Sequence, residues 1–175
     1  MHMREFSAPF LILFLTKCLC GCFDEFMSEV LFYHLEHQSL EQVLPLLLEK
    51  TLDRGWRAVV QASSDERLES LSASLWTWRD DAFLPHGDAK EANAELQPIW
   101  LCCDDETPNK ANVRFCVDGA TSRNIEDFER TIYMFDGSDP VALDHARQQW
   151  KVLKDSDHEI TYWRQGSQGK WEKMA

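Results

Sequence analysis

The stretch EVLFYHLEHQSLEQVLPLLLEKTLDRGWRAVVQA, residues Glu29–Ala62, reads as strand, helix, strand. Glu29–Leu35 is dense in β-branched and aromatic residues and is bounded by a polar turn, the pattern of a strand. Ser39 followed by Gln42 makes a capping box at a helix start. Leu40, Val43, Leu44, Leu47, Leu48 and Leu52 then recur at helical spacing, and Gly55 ends the run with Arg54 in its last turn. Trp56–Ala62 supplies the second strand. The pattern continues with a second box at Ser63 and Glu66 and an inner stripe of Leu68, Leu71, Leu75 and Trp78. A strand–helix–strand–helix opening implies parallel strands joined by right-handed crossovers.

Downstream, Phe83-Leu84-Pro85-His86-Gly87 reads as a turn, and a polar stretch runs to Gln97. Pro98–Cys103 is a third strand, Asp104–Ala111 a polar turn, and Val113–Val117 a fourth strand closed by Asp118-Gly119. A short helix is expected near Ile125–Phe128 and a fifth strand at Arg130–Phe135. Asp139 as N-cap with Pro140 at the first position opens a helix to about Lys154. Glu159–Trp163 is a last short strand, followed by a polar tail containing Trp171. The expected architecture is one three-layer α/β domain with a mostly parallel sheet.

The chain of 175 residues carries 30 acidic against 18 basic side chains, for a net charge of −12. That balance argues against wrapping nucleic acid, which draws on an excess of Lys and Arg. Hydrophobic residues at 44% and charged residues at 27% are globular values, which exclude wholesale disorder. No apolar run reaches the roughly 20 residues that span a bilayer, so no membrane association is expected. Residues 1–26 stand apart. Arg4, the apolar run FLILFL from Phe10 to Leu15, and Cys18, Cys20 and Cys22 outline a signal peptide with a lipoprotein-like end. The alternative is a start assigned too far upstream, since Met27 opens directly into the first strand; this is the reading we adopt. Residues 27–175 then form the domain, with all but one unit of the net charge and length enough to bury about 68–70% of the unfolded surface. Cys102, Cys103 and Cys116 lack a CxxC spacing and are odd in number, so they are read as reduced, buried strand thiols.

Phosphate-binding and nucleophile motifs are missing from the sequence: it contains no GxGxxG, no GxxxxGK[ST] and no GxSxG, and only seven glycines. No nucleotide-binding loop, cofactor or metal is therefore expected. His34 and His37 with Glu36 fall at a strand end, without an identifiable third metal ligand. Asp104, Asp105 and Glu106 follow the end of a strand, where α/β active sites lie. Together with His86 they define an alternative reading as a small α/β enzyme working by acid–base chemistry. Solvated surface and turn structure are the plainer readings of both.

Two surfaces stand out. Trp76, Trp78, Phe83 and Pro85 lie within ten residues beside Arg79, Asp80 and Asp81. Some belong to the core, and the rest would give apolar anchors with a polar rim, as protein–protein interfaces have. On the last helix, at about 100° per residue from Leu143, Trp150 falls near −20°, Lys154 near 20°, Arg147 near 40° and Lys151 near 80°. One face so carries three cations and an indole. Cations at a helix C-terminus also suit the macrodipole, and an indole there also suits a core. In a protein this acidic, however, the patch has the chemistry of a pocket for a carboxylate and an apolar side chain.

From Met27 to the end, the chain resembles the chi subunit of bacterial DNA polymerase III. The resemblance rests on collinear landmarks: EVLFYHL (Glu29–Leu35), RGWR (Arg54–Arg57), LWTWRDDAFLPHG (Leu75–Gly87), VRFCVDG (Val113–Gly119), MFDG (Met134–Gly137), ARQQWKVLK (Ala146–Lys154), and Tyr162–Trp163 with Gly169-Lys170-Trp171. It implies a Rossmann-like fold without a nucleotide site or catalysis, and a cytoplasmic accessory of the clamp loader that meets DNA indirectly. It also implies two partners. One is the C-terminal tail of single-stranded-DNA-binding protein, which ends in aspartates, a proline and a terminal phenylalanine. In the resemblance that tail falls on Arg147 and Trp150, with Lys151 and Lys154 beside them. A lysine of the family falls at Leu143 here, so Lys151 or Lys154 would have to replace it. The other partner is the psi subunit, or a protein in its place, meeting Trp76 and Phe83.

Overall fold

The computed structural model describes residues 28–156, 158–166 and 170–175. The expectation of a misassigned start concerns residues 1–26 and lies outside the described residues.

Eight strands form one sheet. In chain order they are β1 (Glu29–Leu35), β2 (Ala58–Gln61), β3 (His86–Gly87), β4 (Ile99–Cys102), β5 (Val113–Val117), β6 (Arg130–Asp136), β7 (Glu159–Gln165) and β8 (Trp171–Lys173). Their spatial order is β3-β4-β2-β5-β6-β1-β7-β8, parallel throughout except for the antiparallel β7–β8 edge. Three helices cover it: α1 (Leu40–Asp53), α2 (Asp65–Trp76) and α3 (Pro140–Lys154). The protein thus has the expected Rossmann-like, three-layer α/β fold.

Alternation along β1 sorts the layers. Leu31 and Leu35 face α1 and α2 and join the larger core with Val43, Leu44, Leu48, Leu68, Leu71 and Leu75. Val30 and Phe32 face α3 and pack with Tyr133, Phe135, Ala146 and Leu153. A strand buried on both faces reads as continuous apolar sequence, which is why EVLFYHL carries so few polar residues. The α1 start follows its capping signal, with the Ser39 amide donating to Gln42 Oε1 at 3.1 Å.

The second helix starts one residue later than its sequence signal. Ser64, not Ser63, caps it, its hydroxyl accepting from the Arg67 amide at 3.3 Å. It also ends earlier, at Trp76. The Thr77 hydroxyl donates to the Ala73 carbonyl at 2.9 Å, and Trp78 lies beyond the helix, folded back on the core with Arg79 4.3 Å above its ring. The expected short helix is a 3-10 turn at Ile125–Asp127. Two edge strands, β3 and β8, were not anticipated: at two and three residues they are too short to show a period. Cys102 and Cys116 are buried free thiols, as expected, and burial pushes both up to about 12. Cys103 departs from the expectation. It lies one residue past β4, is exposed, and donates to Asp65 Oδ1 at 3.4 Å.

Candidate functional site

The face of α3 is positioned by its cap and its core stripe. Asp139 accepts from the Val141 amide at 2.8 Å, and Pro140 occupies the first turn. Ala146 and Leu153 are buried, which turns Arg147, Lys151 and Lys154 outward. None of the ion pairs among the described residues involves these three cations. Trp150 is half-buried, meeting Phe32 edge-on at 5.2 Å and Tyr162 at 5.9 Å. It is therefore partly core and partly wall: one edge anchors α3 to the sheet, and the rest borders the cations. Leu143 packs against the same core cluster and brings no charge to the face.

Three residues missed by sequence reasoning complete this face. Ile160, Tyr162 and Arg164 alternate toward α3 along β7. The Tyr162 hydroxyl lies 2.8 Å from His34 Nδ1, and Arg164 stands directly opposite His34 in the β1–β7 register. Burial lowers the pKa of His34; Glu36 and Asp136 oppose this, while the charges of Arg164 and Arg147 reinforce it. Burial first, then the charge of Glu36, raise the pKa of the Tyr162 phenol, and the same two guanidiniums only partly oppose this. The period-2 pattern of EITYWRQ held the signal, but ending the strand at Trp163 left Arg164 in the tail.

The aromatic pair expected after α2 is on the surface. Trp76 is 58% and Phe83 67% exposed, with ring centres 5.7 Å apart. Trp76 rests against His86 at 4.9 Å. The buried His86 ring is held by two contacts, Nδ1 to the Leu84 carbonyl at 2.8 Å and Nε2 to the Ser72 hydroxyl at 3.0 Å. Because Nδ1 donates to that carbonyl, Nε2 accepts the Ser72 proton. His86 so acts as a prop beneath the Trp76 indole.

The acidic loop at Asp104–Glu106 is not brought to His86. His86 is level with Ile99 at the start of β4, whereas the loop follows the end of that strand. The loop instead encloses Arg114, whose side chain is fully buried. The Arg114 guanidinium donates to the backbone carbonyls of Asp104, Asp105 and Glu106, to Thr107 Oγ1 at 2.8 Å and to Gln61 Oε1 at 2.7 Å. Asp105 Oδ1 lies 3.3 Å away as counter-charge, and Phe128 lies 4.7 Å below. Among the described residues no group of three His, Cys, Asp or Glu side chains is placed to hold a metal; His34 turns inward to Tyr162, and His37 is exposed.

The crevice over the carboxyl ends of β1, β5 and β6, where doubly wound sheets take ligands, has a volume near 720 Å³. Its lining includes Glu36, Glu41, Asp118, Asp136 and Asp139, and its Arg67 is engaged at 2.6 Å by both Glu41 and Asp118. Its charged lining is mostly carboxylate, which does not favour an anionic ligand. Among the described residues no helix is long and apolar enough to cross a membrane.

Fold and surface define a Rossmann-like α/β domain whose distinctive chemistry lies on its outer faces. Residues 27–161 match the family model for the DNA polymerase III chi subunit (HolC), and the chain belongs to that family. It is also similar to the probable DNA polymerase III subunit chi of Rickettsia prowazekii (strain Madrid E), at 22% identity over 161 residues, covering 86% of this chain and 94% of that protein. Family membership makes the chain an accessory subunit of a DNA polymerase complex in DNA replication.

Proposed function

We propose that this chain ties the clamp-loader assembly of DNA polymerase III to single-stranded-DNA-binding protein by holding that protein's acidic C-terminal tail on α3. The observation that carries the reading is Arg147: an outward guanidinium, outside every described ion pair, one helical turn from a half-buried indole. A planar fork matches a carboxylate, and the exposed part of Trp150 offers a wall for a phenylalanine ring. Lys151 and Lys154 add longer-range attraction. The domain's overall negative charge opposes an acidic partner, so binding must be local and short-ranged. Trp76 and Phe83, on the other side of the sheet, would anchor the psi subunit or the protein that takes its place. In this reading the chain works in the cytoplasm without catalysis or a cofactor, and reaches DNA through its partners.

The test is fluorescence anisotropy of a labelled peptide carrying aspartates, a proline and a C-terminal phenylalanine. Loss of a charge-assisted pair costs roughly 1.5–3 kcal/mol, about ten- to a hundredfold in affinity. Arg147→Ala is expected to lose that much, and Trp150→Ala to weaken binding as well. Unchanged affinity in both folded variants would place the tail elsewhere.

A further inference from the structure

The tail-binding face has two sides, and α3 supplies one of them. The chain descends through α3 from the top of β6 to the foot of β7, so α3 runs antiparallel to β7. Trp150 and Tyr162 meet edge-on at 5.9 Å between the two elements. From that contact, Arg147 lies three residues up α3, a rise of roughly 4.5 Å. Arg164 lies two residues up β7 on the Tyr162 side, a rise of roughly 6.6 Å. Because the elements are antiparallel, both steps lead toward the same end of the sheet. The two residues so leave their elements at similar heights, one on α3 and one on β7, and both charges are felt by Tyr162 and His34.

Arg164 also stands without an intramolecular counter-charge among the described residues. Its Nε is buried without a hydrogen-bond partner, and no carboxylate within ion-pair distance engages it among the described residues. Glu172, its neighbour across the β7–β8 register, turns its carboxylate over Gly166 instead. The half-buried guanidinium is thus left without a counter-charge among the described residues, and a carboxylate brought to its accessible side would supply one.

We propose that Arg164 is a second carboxylate-binding residue of this face, so that the terminal carboxylate of an acidic, phenylalanine-ended peptide is held between Arg147 on α3 and Arg164 on β7. The proposal rests on the tail-binding reading above and adds to it a residue from another element, beyond the described helix face. It assigns Arg147 and Arg164 to the same chemical group, the α-carboxylate, and leaves the aspartates of the peptide to Lys151 and Lys154.

The experiment uses the full chain and two labelled peptides of identical sequence, several aspartates, a proline and a C-terminal phenylalanine, one with a free carboxylate and one amidated. Anisotropy is measured for wild type, Arg147→Ala, Arg164→Ala and Arg164→Lys, with the melting temperature of each as a folding control. Arg164→Ala is expected to bind the free-carboxylate peptide about tenfold more weakly than wild type. Amidation is expected to weaken wild type by at least about tenfold and Arg164→Ala by clearly less, because one of the two guanidiniums that read the carboxylate is already gone and only Arg147 remains. Arg164→Lys recovers part of the loss, since a point charge replaces a fork. An equal amidation penalty in wild type and a folded Arg164→Ala overturns the proposal, as does unchanged affinity. Weakening in Arg147→Ala alone overturns it while leaving the tail-binding reading intact, and failure of wild type to bind either peptide overturns both.

Discussion

The phenol of Tyr162 and the imidazole of His34 are joined diagonally across the β1–β7 pair, oxygen to Nδ1 at 2.8 Å, with the His34 ring stacked on Phe135 at 5.2 Å. This contact lies in the field of Arg147 and Arg164 and ties the central strand to the edge ribbon. It also draws a half-buried imidazole under two guanidiniums, where burial above all disfavours its charged form.

Stability is accordingly expected to fall in mild acid through His34. Burial first, with the charges of Arg164 and Arg147 in the same direction, holds its pKa below the ordinary 6.5 despite Glu36 and Asp136. Above pH 6.5 the ring is neutral in both states and its contribution is fully present. As pH falls through that value the unfolded chain takes up the proton first, so the folded state loses stability until it too is protonated. Melting temperature followed across this range should decline less steeply in His34→Gln than in wild type. Identical slopes would remove His34 from the acid response.

Arg114 is expected to be the costliest charge to remove. Its truncation to Met leaves Gln61, Asp105, Thr107 and three backbone carbonyls without their donor. Breaking one side of a buried charged network typically costs about 3–5 kcal/mol. Urea unfolding of Arg114→Met should show a loss in that range; a loss under about 1 kcal/mol would show that the loop re-forms its hydrogen bonds without the guanidinium.

At the Trp76–Phe83 surface, Phe83→Ala is the cleaner probe, since its ring is 67% exposed. It should leave the melting temperature nearly unchanged and weaken association with the clamp-loader partner by about 2 kcal/mol or more. Trp76→Ala should act similarly but also loosen the His86 contact at 4.9 Å. Both variants should retain peptide binding at α3. Normal association by a folded Phe83→Ala would make the patch a structural feature only.

Lys151 and Lys154 are exposed and take part in no ion pair among the described residues, so their effect on the peptide should be screened by salt. Lys151→Ala is expected to weaken binding less than Arg147→Ala does, and the difference from wild type should shrink as salt rises. Added salt should weaken wild type without abolishing binding, because the phenylalanine contact is apolar. A Lys151 effect that is insensitive to salt would argue for a direct, desolvated pair.

Removal of residues 1–26 is expected to leave fold and peptide affinity unchanged. Ser28 Oγ donates to the Ile125 carbonyl at 3.0 Å, and Glu29 pairs with Arg130, so β1 is tied down at its own first residues. The melting temperature of a chain beginning at Met27 tests this. A marked drop, or native protein carrying a lipid on Cys22, would assign the leader a role.

The fold class, the central strands and the cation-bearing helix are legible in the sequence. Those features are local: β-rich runs such as Glu29–Leu35, the Ser39–Gln42 capping signal, and the Asp139-Pro140 start of α3 act over a few residues, and periodicity reports which face is apolar. The family is legible there as well, through collinear landmarks. Tertiary structure alone decided what β7 does. Arg164 and Tyr162 sit on a seven-residue strand between β1 and β8; alternation puts them on one face, and only pairing with β1 decides that this face is the one toward α3. It also decided that Arg114 is buried, which a strand pattern hides because a guanidinium enters a core only when distant carbonyls are folded around it. Finally, it separated Trp78 from Trp76, turning one indole to the core and leaving the other on the surface. Neighbours in sequence share composition, but burial depends on which remote elements arrive to cover them.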